Sequence, residues 1–180
     1  MHNNDANLQN VKAAKFVFSD VLDLAGYVKS KLDNPTPIKI QKALYFLWAF
    51  YAATYGNIDY SAKNPSEFNL QAEPYPKFLF APDFAAGKYG PVIKRVYLAC
   101  QNQQLEKLNL KAVQQQITLD KLARNEVILF VNNLLDQIND INDFGLVQRT
   151  HQDQAWKEAY AAHRHMNPEM IKADYIKCLA

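Results

Sequence analysis

The chain has 180 residues, of which 49% are hydrophobic, and its 20 basic and 18 acidic side chains give a net charge of +2. A chain of this length and apolar content is typical of one domain with a core of its own. The near balance of charge lacks the basic excess of a nucleic-acid-binding domain and the acidic excess of a DNA mimic, so composition makes nucleic acid an unlikely partner.

The N-terminal segment and the two cysteines bear on the cellular compartment. Residues 1–15 are polar and lack the apolar core and the small-residue cleavage site of a signal peptide, so we expect a cytoplasmic protein. We treat these residues as a flexible arm and residues 16–180 as one helical domain. Free cysteine is among the most buried residue types, so we expect Cys100 and Cys178 to be buried, reduced thiols.

Apolar residues at spacings of three and four predict helices in the first third of the chain. A first helix fits residues 20–32, and Thr36 and Pro37 have the chemistry of the cap and the first position of a second. Within that helix the run from Ala43 to Ala53 carries no charge, which predicts a central aromatic helix over residues 37–55 that is buried on all sides. No membrane segment is expected, because a span needs around 20 apolar residues.

Turn signals dominate residues 57–92. Gly90 accepts a backbone conformation closed to other residues, and proline is favoured at the first position of a helix, so we expect a helix to begin at Pro91. Before it, the alternating apolar residues of 57–82 fit a short antiparallel pair and an irregular excursion equally well. If a hairpin forms, it belongs in residues 66–82.

Capping residues and apolar spacing predict three further helices and one helical turn. We expect a long helix from Thr118 or Asp120 to about Asn142, a helical turn over 146–150, a helix over 153–165 and a last helix that begins at Asn167 and Pro168. The structure of residues 101–117 stays open. The chain is therefore predicted to be an all-α, single-domain bundle of about six to seven helices around the 37–55 helix.

Three segments of the chain share their order and spacing with a known family. The motif positions in these segments are Gln41, Lys42, Tyr45, Gly90, Pro91, Val92, Tyr97, Thr150, His151 and Trp156. They resemble the signature of the Panacea domain, or SocA-like antitoxin family, whose members are often phage-associated. The chain departs from the family pattern at Gly87, where the family usually has a tryptophan.

The resemblance implies a bacterial or prophage toxin–antitoxin system, in which the antitoxin neutralises a cognate protein toxin by direct contact. We therefore expect a protein-binding module rather than an enzyme, with no cofactor and with an oligomeric state that the sequence leaves open. We expect a basic patch flanked by Tyr45 and Tyr89. The expected partner-binding residues are the basic ones, Lys39, Lys42, Lys88, Lys94 and Arg95, together with Tyr89. An ordinary solvated rim, with both tyrosines buried in the core, fits the same residues.

A DNA-binding regulator of a prophage or toxin–antitoxin operon is one alternative. It would need a recognition helix with several exposed basic side chains. The helix expected after Pro91 offers Lys94 and Arg95 alone.

A small hydrolase or transferase centred on His151 is the other alternative. A catalytic histidine needs a group that orients its ring, here a carboxylate such as Asp153 or Glu158. A structural role, in which Thr150 and His151 brace the turn before the Trp156 helix, fits the same residues.

We expect no metal site. His163 and His165 are two residues apart, so on a helix their rings diverge. Asp136, Asp140 and Asp143 follow at spacings of four and three and lie near one helical face, which we interpret as a solvated face and a polar helix end.

Overall fold

A computed structural model of the chain describes residues 15–61 and 74–180. These residues form eight α-helices and one two-stranded antiparallel hairpin, so the all-α, single-domain prediction is confirmed. The helices are α1 (Val21–Lys31), α2 (Pro37–Ala53), α3 (Lys94–Gln101), α4 (Leu110–Gln115), α5 (Lys121–Asn139), α6 (Asp143–Thr150), α7 (Gln154–Ala161) and α8 (Pro168–Leu179). The hairpin pairs β1 (Ala85–Gly87) with β2 (Gly90–Val92).

The central helix α2 lies where the sequence places it. Thr36 caps it by accepting a hydrogen bond from the amide of Lys39, and Pro37 is its first residue. Its neighbours are α1, α3, α5, α6, α8 and β2, so it is surrounded on all sides. Two buried polar groups on α2 hydrogen-bond to the backbone of the segment that precedes β1. Trp48 Nε1 donates to Phe80 O at 2.9 Å, and Tyr51 OH donates to Pro76 O at 2.8 Å.

The remaining helices agree with the sequence in kind and differ in their ends. The expected turn over 146–150 is a full helix, α6, because the side chain of Asn142 caps it by accepting from Gly145 N. The helix expected over 153–165 is shorter, since α7 ends at Ala161 and His163 takes a positive φ of 52°. Within 101–117 the structure forms α4, which is one short helix.

The prediction that a helix begins at Pro91 is wrong, because Pro91 lies in β2 and α3 begins at Lys94. Gly90 has a φ of 95° and pairs with Gly87, which closes a tight turn over the two residues between them. Proline at the start of a helix and proline in an edge strand both leave the missing N–H without consequence. The same dipeptide therefore supports either element.

The hairpin lies later in the chain than expected. Of the residues 66–82 proposed for it, 66–73 lie outside the described residues, and in 74–82 Phe78 forms an isolated bridge with Phe16. The expected flexible arm, residues 1–15, also lies outside the described residues except for its last residue.

The expectation of two buried thiols is wrong for Cys178 and only partly met by Cys100. Both cysteines are free, but Cys100 is half-buried and Cys178 is exposed. The last turn of α8 leaves the core, and Ile176 and Leu179 are exposed there as well.

Candidate functional site

Gln41 on α2 holds the chain immediately after β2. Its side-chain Nε2 donates to Ile93 O at 3.0 Å, and its Oε1 accepts from Ile93 N at 2.9 Å. Both groups are buried, so the amide satisfies a backbone donor and acceptor that water does not reach. A single side chain thus substitutes for a neighbouring strand at this position.

Lys42, the next residue of α2, is 1% exposed, and its Nζ donates to Pro91 O at 2.8 Å. None of the ion pairs in the described residues involves this ammonium. Burial lowers the pKa of Lys42 to about 7. Gly90 packs directly on it, since a Cβ on Gly90 would lie 2.9 Å from Lys42 Cε and would collide with Thr150 Oγ1.

The prediction that Lys39 and Lys42 belong to a basic surface is therefore wrong. Lys39 is buried too, and its Nζ lies 3.3 Å from Asn139 O. Both side chains emerge from a helix that is covered by its neighbours, so their amines reach backbone carbonyls instead of solvent. Tyr45 is fully buried whereas Tyr89 is exposed, so only one of the two tyrosines flanks a surface.

Tyr45 belongs to a buried cluster around Asp153, which is 4% exposed. Asp153 Oδ2 accepts from Tyr45 OH at 2.7 Å and from Tyr175 OH at 2.9 Å, while its Oδ1 pairs with Arg149 Nη1 at 2.7 Å. Burial and the adjacent carboxylate raise the pKa of both tyrosines. In the sequence, the spacing of four residues between Arg149 and Asp153, which suits an ion pair on one helical face, is the one local signal of this cluster.

His151 and Trp156 hold the other side of the hairpin. His151 Nε2 lies 3.1 Å from Lys88 O, and Trp156 Nε1 donates to Gly87 O at 3.0 Å. The two rings stack with their centroids 4.0 Å apart. Thr150 Oγ1 donates to Val147 O, so this segment has the bracing geometry that was one of its two expected roles.

The carboxylates expected beside a catalytic His151 are engaged elsewhere. Asp153 is held by the two tyrosines and Arg149, and Glu158 accepts a hydrogen bond from Gln154. The hydrogen bond of the imidazole is to the backbone carbonyl of Lys88. The ring of His151 is therefore positioned by the carbonyl of Lys88 and by stacking on Trp156.

The tip of the hairpin is the part of this assembly that faces solvent. Tyr89 is 57% exposed, and Lys88 Nζ lies 5.6 Å from the centre of its ring. Beside it Phe144 on α6 is 69% exposed. A groove of about 410 Å³ runs between them, which we call the hairpin-tip groove. It is lined by Ile38, Lys88, Tyr89, Asp143, Phe144, Val147, Gln148 and His151.

The remaining expected binding residues lie on α3, past the other end of β2. Lys94 and Arg95 are exposed, and Arg95 Nη1 pairs with Asp20 Oδ1 at 3.1 Å. Tyr97 is exposed on the same helix. The single basic patch expected from the sequence is therefore divided between the hairpin tip and α3.

The fold and this site define a mostly helical domain with a short hairpin, which side chains of α2 and α7 and the side chain of His151, just after α6, hold in place. In residues 15–61 and 74–180, every helix is too short or too polar to cross a membrane. The same residues contain no group of three or more His, Cys, Asp or Glu side chains placed to hold a metal ion. No family model, curated protein or solved structure matches the chain.

Proposed function

We propose that this chain is an antitoxin-like protein-binding module, which neutralises a cognate protein toxin by direct contact and not by catalysis. The proposal combines the sequence resemblance with the place of the motif residues in the fold. Gln41, Lys42, His151 and Trp156 all hydrogen-bond to the backbone of one segment, residues 87–93. Their common effect is to hold the hairpin in a fixed position.

The single observation that supports binding is the pair of exposed aromatic rings at the hairpin-tip groove. Tyr89 and Phe144 are each more than half exposed, although large aromatic side chains normally bury most of their area. Aromatic residues are enriched at protein interfaces and often dominate their binding energy. Because side-chain hydrogen bonds already hold the hairpin backbone at Gly87, Lys88 and Pro91, a partner would bind it at little cost in conformational entropy.

Expression of the neighbouring reading frames tests the proposal. We expect one short frame next to this gene to stop growth when expressed alone and to be harmless when this chain is present. The double variant Tyr89→Ala, Phe144→Ala should lose this rescue, whereas Leu122→Ala, which removes a side chain that is 65% exposed on α5, should keep it. Circular dichroism and thermal melting of both variants check that they fold. The proposal is refuted if no neighbouring frame is toxic, or if the double variant rescues as well as the parent.

The contribution of α3 is tested separately. Lys94→Glu reverses one exposed charge and leaves the pair between Arg95 and Asp20 intact. Loss of rescue would extend the binding surface from the groove to α3. Full rescue by Lys94→Glu, together with loss of rescue by the aromatic double variant, would restrict the surface to the hairpin tip.

A further inference from the structure

The hairpin-tip groove continues across Phe144 into a second depression of different character. This depression has a volume of about 530 Å³, and we call it the polar depression. It is lined by Asn34, Lys39, Asn139, Asp140, Ile141 and Asn142, and it shares Asp143 and Phe144 with the groove. A bound segment that crosses the ring of Phe144 would therefore contact an apolar wall first and a polar one next.

The polar depression has more negative than positive charge. Asp140 is exposed and Asp143 is half-buried, and neither takes part in the ion pairs found among the described residues. Asp143 Oδ2 accepts one hydrogen bond, from Thr36 Oγ1 at 2.6 Å. The one ammonium of the lining, that of Lys39, is directed to the carbonyl of Asn139. The lining of the polar depression thus contains two carboxylates and one ammonium, and that ammonium is hydrogen-bonded to a backbone carbonyl.

The groove itself has one carboxylate, that of Asp143, which it shares with the polar depression. The basic side chain of its lining is Lys88, whose ammonium lies over the ring of Tyr89. The polar depression therefore has two carboxylates where the groove has one, and a cation is favoured in the depression over the hairpin end beside Lys88. Charge complementarity of this kind sets the orientation and register of a partner more than its affinity.

We propose that the partner inserts a large apolar side chain into the hairpin-tip groove and places an arginine of the same segment in the polar depression. This inference rests on the proposed function, because it states the chemistry of the protein that binds there. Arginine fits better than lysine, since its planar guanidinium pairs with carboxylates through two parallel hydrogen bonds and stacks on an aromatic face. The exposed ring of Phe144 lies between the two subsites and offers that face.

Selection from a random peptide display library on the purified full chain tests the proposal. We expect the enriched peptides to share a large apolar residue and an arginine a few positions away. Synthetic peptides of the enriched sequences are then titrated by fluorescence anisotropy. Replacing the arginine by citrulline, which keeps the shape and removes the charge, should weaken binding about tenfold, because hydrogen bonds to charged groups are among the stronger ones.

Variants of the chain locate the contact. Asp140→Asn with Asp143→Asn should weaken binding of the arginine peptide about tenfold and have little effect on the citrulline peptide. Asp136→Asn is the matched control, because it removes one exposed carboxylate of α5 outside both depressions. Phe144→Ala should weaken both peptides.

Two results would overturn the proposal. One is enrichment of peptides without a basic residue, and the other is an arginine peptide that binds the double asparagine variant as tightly as the parent. Neither result bears on toxin rescue, which is measured in cells with Tyr89→Ala, Phe144→Ala. Rescue that depends on the aromatic rings but not on Asp140 and Asp143 would keep the proposed function and reject this partner chemistry.

Discussion

Replacing Lys42 by methionine provides the most direct test of the buried hydrogen bond from Lys42 to Pro91 O, which we call the buried clamp. The side chain keeps its length and most of its volume but loses the amine that donates to Pro91 O. In the folded protein burial lowers the pKa of Lys42 to about 7, whereas in the unfolded chain the amine regains its ordinary value of 10.5. Between these two values the unfolded state binds one proton more than the folded state.

The free energy of unfolding of the parent should therefore rise with pH in this window, by about 1.4 kcal/mol per pH unit at most. The full displacement from 10.5 to about 7 corresponds to about 5 kcal/mol, since each tenfold change in proton affinity is worth about 1.4 kcal/mol. From pH 7 to pH 9 the contribution is about 2 kcal/mol, because the slope reaches its full value only once the folded amine is neutral. Lys42→Met lacks this contribution.

Urea denaturation of the parent and of Lys42→Met at pH 7, 8 and 9 measures the effect. The stability of the parent relative to the variant should increase by about 2 kcal/mol across this range. Lys111→Met removes an exposed lysine and serves as the control, for which the difference from the parent should stay constant. A difference between parent and Lys42→Met that is independent of pH would show that the folded amine is solvated, and the buried clamp would then be wrong.

Three further changes test the other contacts of the hairpin, each by urea denaturation. Gln41→Leu leaves the buried N–H of Ile93 without a partner, while its C=O keeps the hydrogen bond from Tyr97 N, and should cost about 2 kcal/mol, with hydrogen exchange faster at Ile93 than in α5. Gly90→Ala places a Cβ against Thr150 at a φ of 95° and should cost about 3 kcal/mol. Asp153→Asn breaks the pair with the partly exposed Arg149 and should cost about 2 kcal/mol.

Each of these three expectations has a contrary outcome. Losses below about 0.5 kcal/mol are those of ordinary surface substitutions. A loss of that size at Gln41 or Asp153 would mean that water reaches the contact, and at Gly90 it would mean that the turn relaxes without strain. Glu158→Gln, a charge-neutralising change at an exposed position, is the control for Asp153→Asn.

Local signals predicted the helices well, because caps and apolar spacing act within a few residues. Thr36 with Pro37, Asp120, and Asn167 with Pro168 each mark the start of a helix where expected. The charge-free run in α2 predicted its burial, since a helix without a polar face has no side to present to water.

The hairpin could not be predicted in the same way, because tertiary contacts determine it. Gly90 and Pro91 suit a helix start as well as an edge strand, and the amide of Gln41, 52 residues away from Ile93, favours the extended form. The burial of Lys42 was missed for a similar reason. A lysine can be buried when its amine has a hydrogen-bond acceptor in the interior. For Lys42 that acceptor is the carbonyl of Pro91, on a segment distant in sequence.

Some residues hold the hairpin from inside the fold, and others are exposed at the hairpin-tip groove, so substitutions in the two groups must be interpreted differently. Gln41 and Lys42 point inward and contact only the chain itself, so replacing either would reduce partner binding by displacing the hairpin. Such a loss would not locate the interface. Tyr89 and Phe144 are exposed, and truncating them removes contact area while the buried hydrogen bonds stay in place. Loss of binding at full stability, in the aromatic variant alone, is therefore the result that identifies the binding surface.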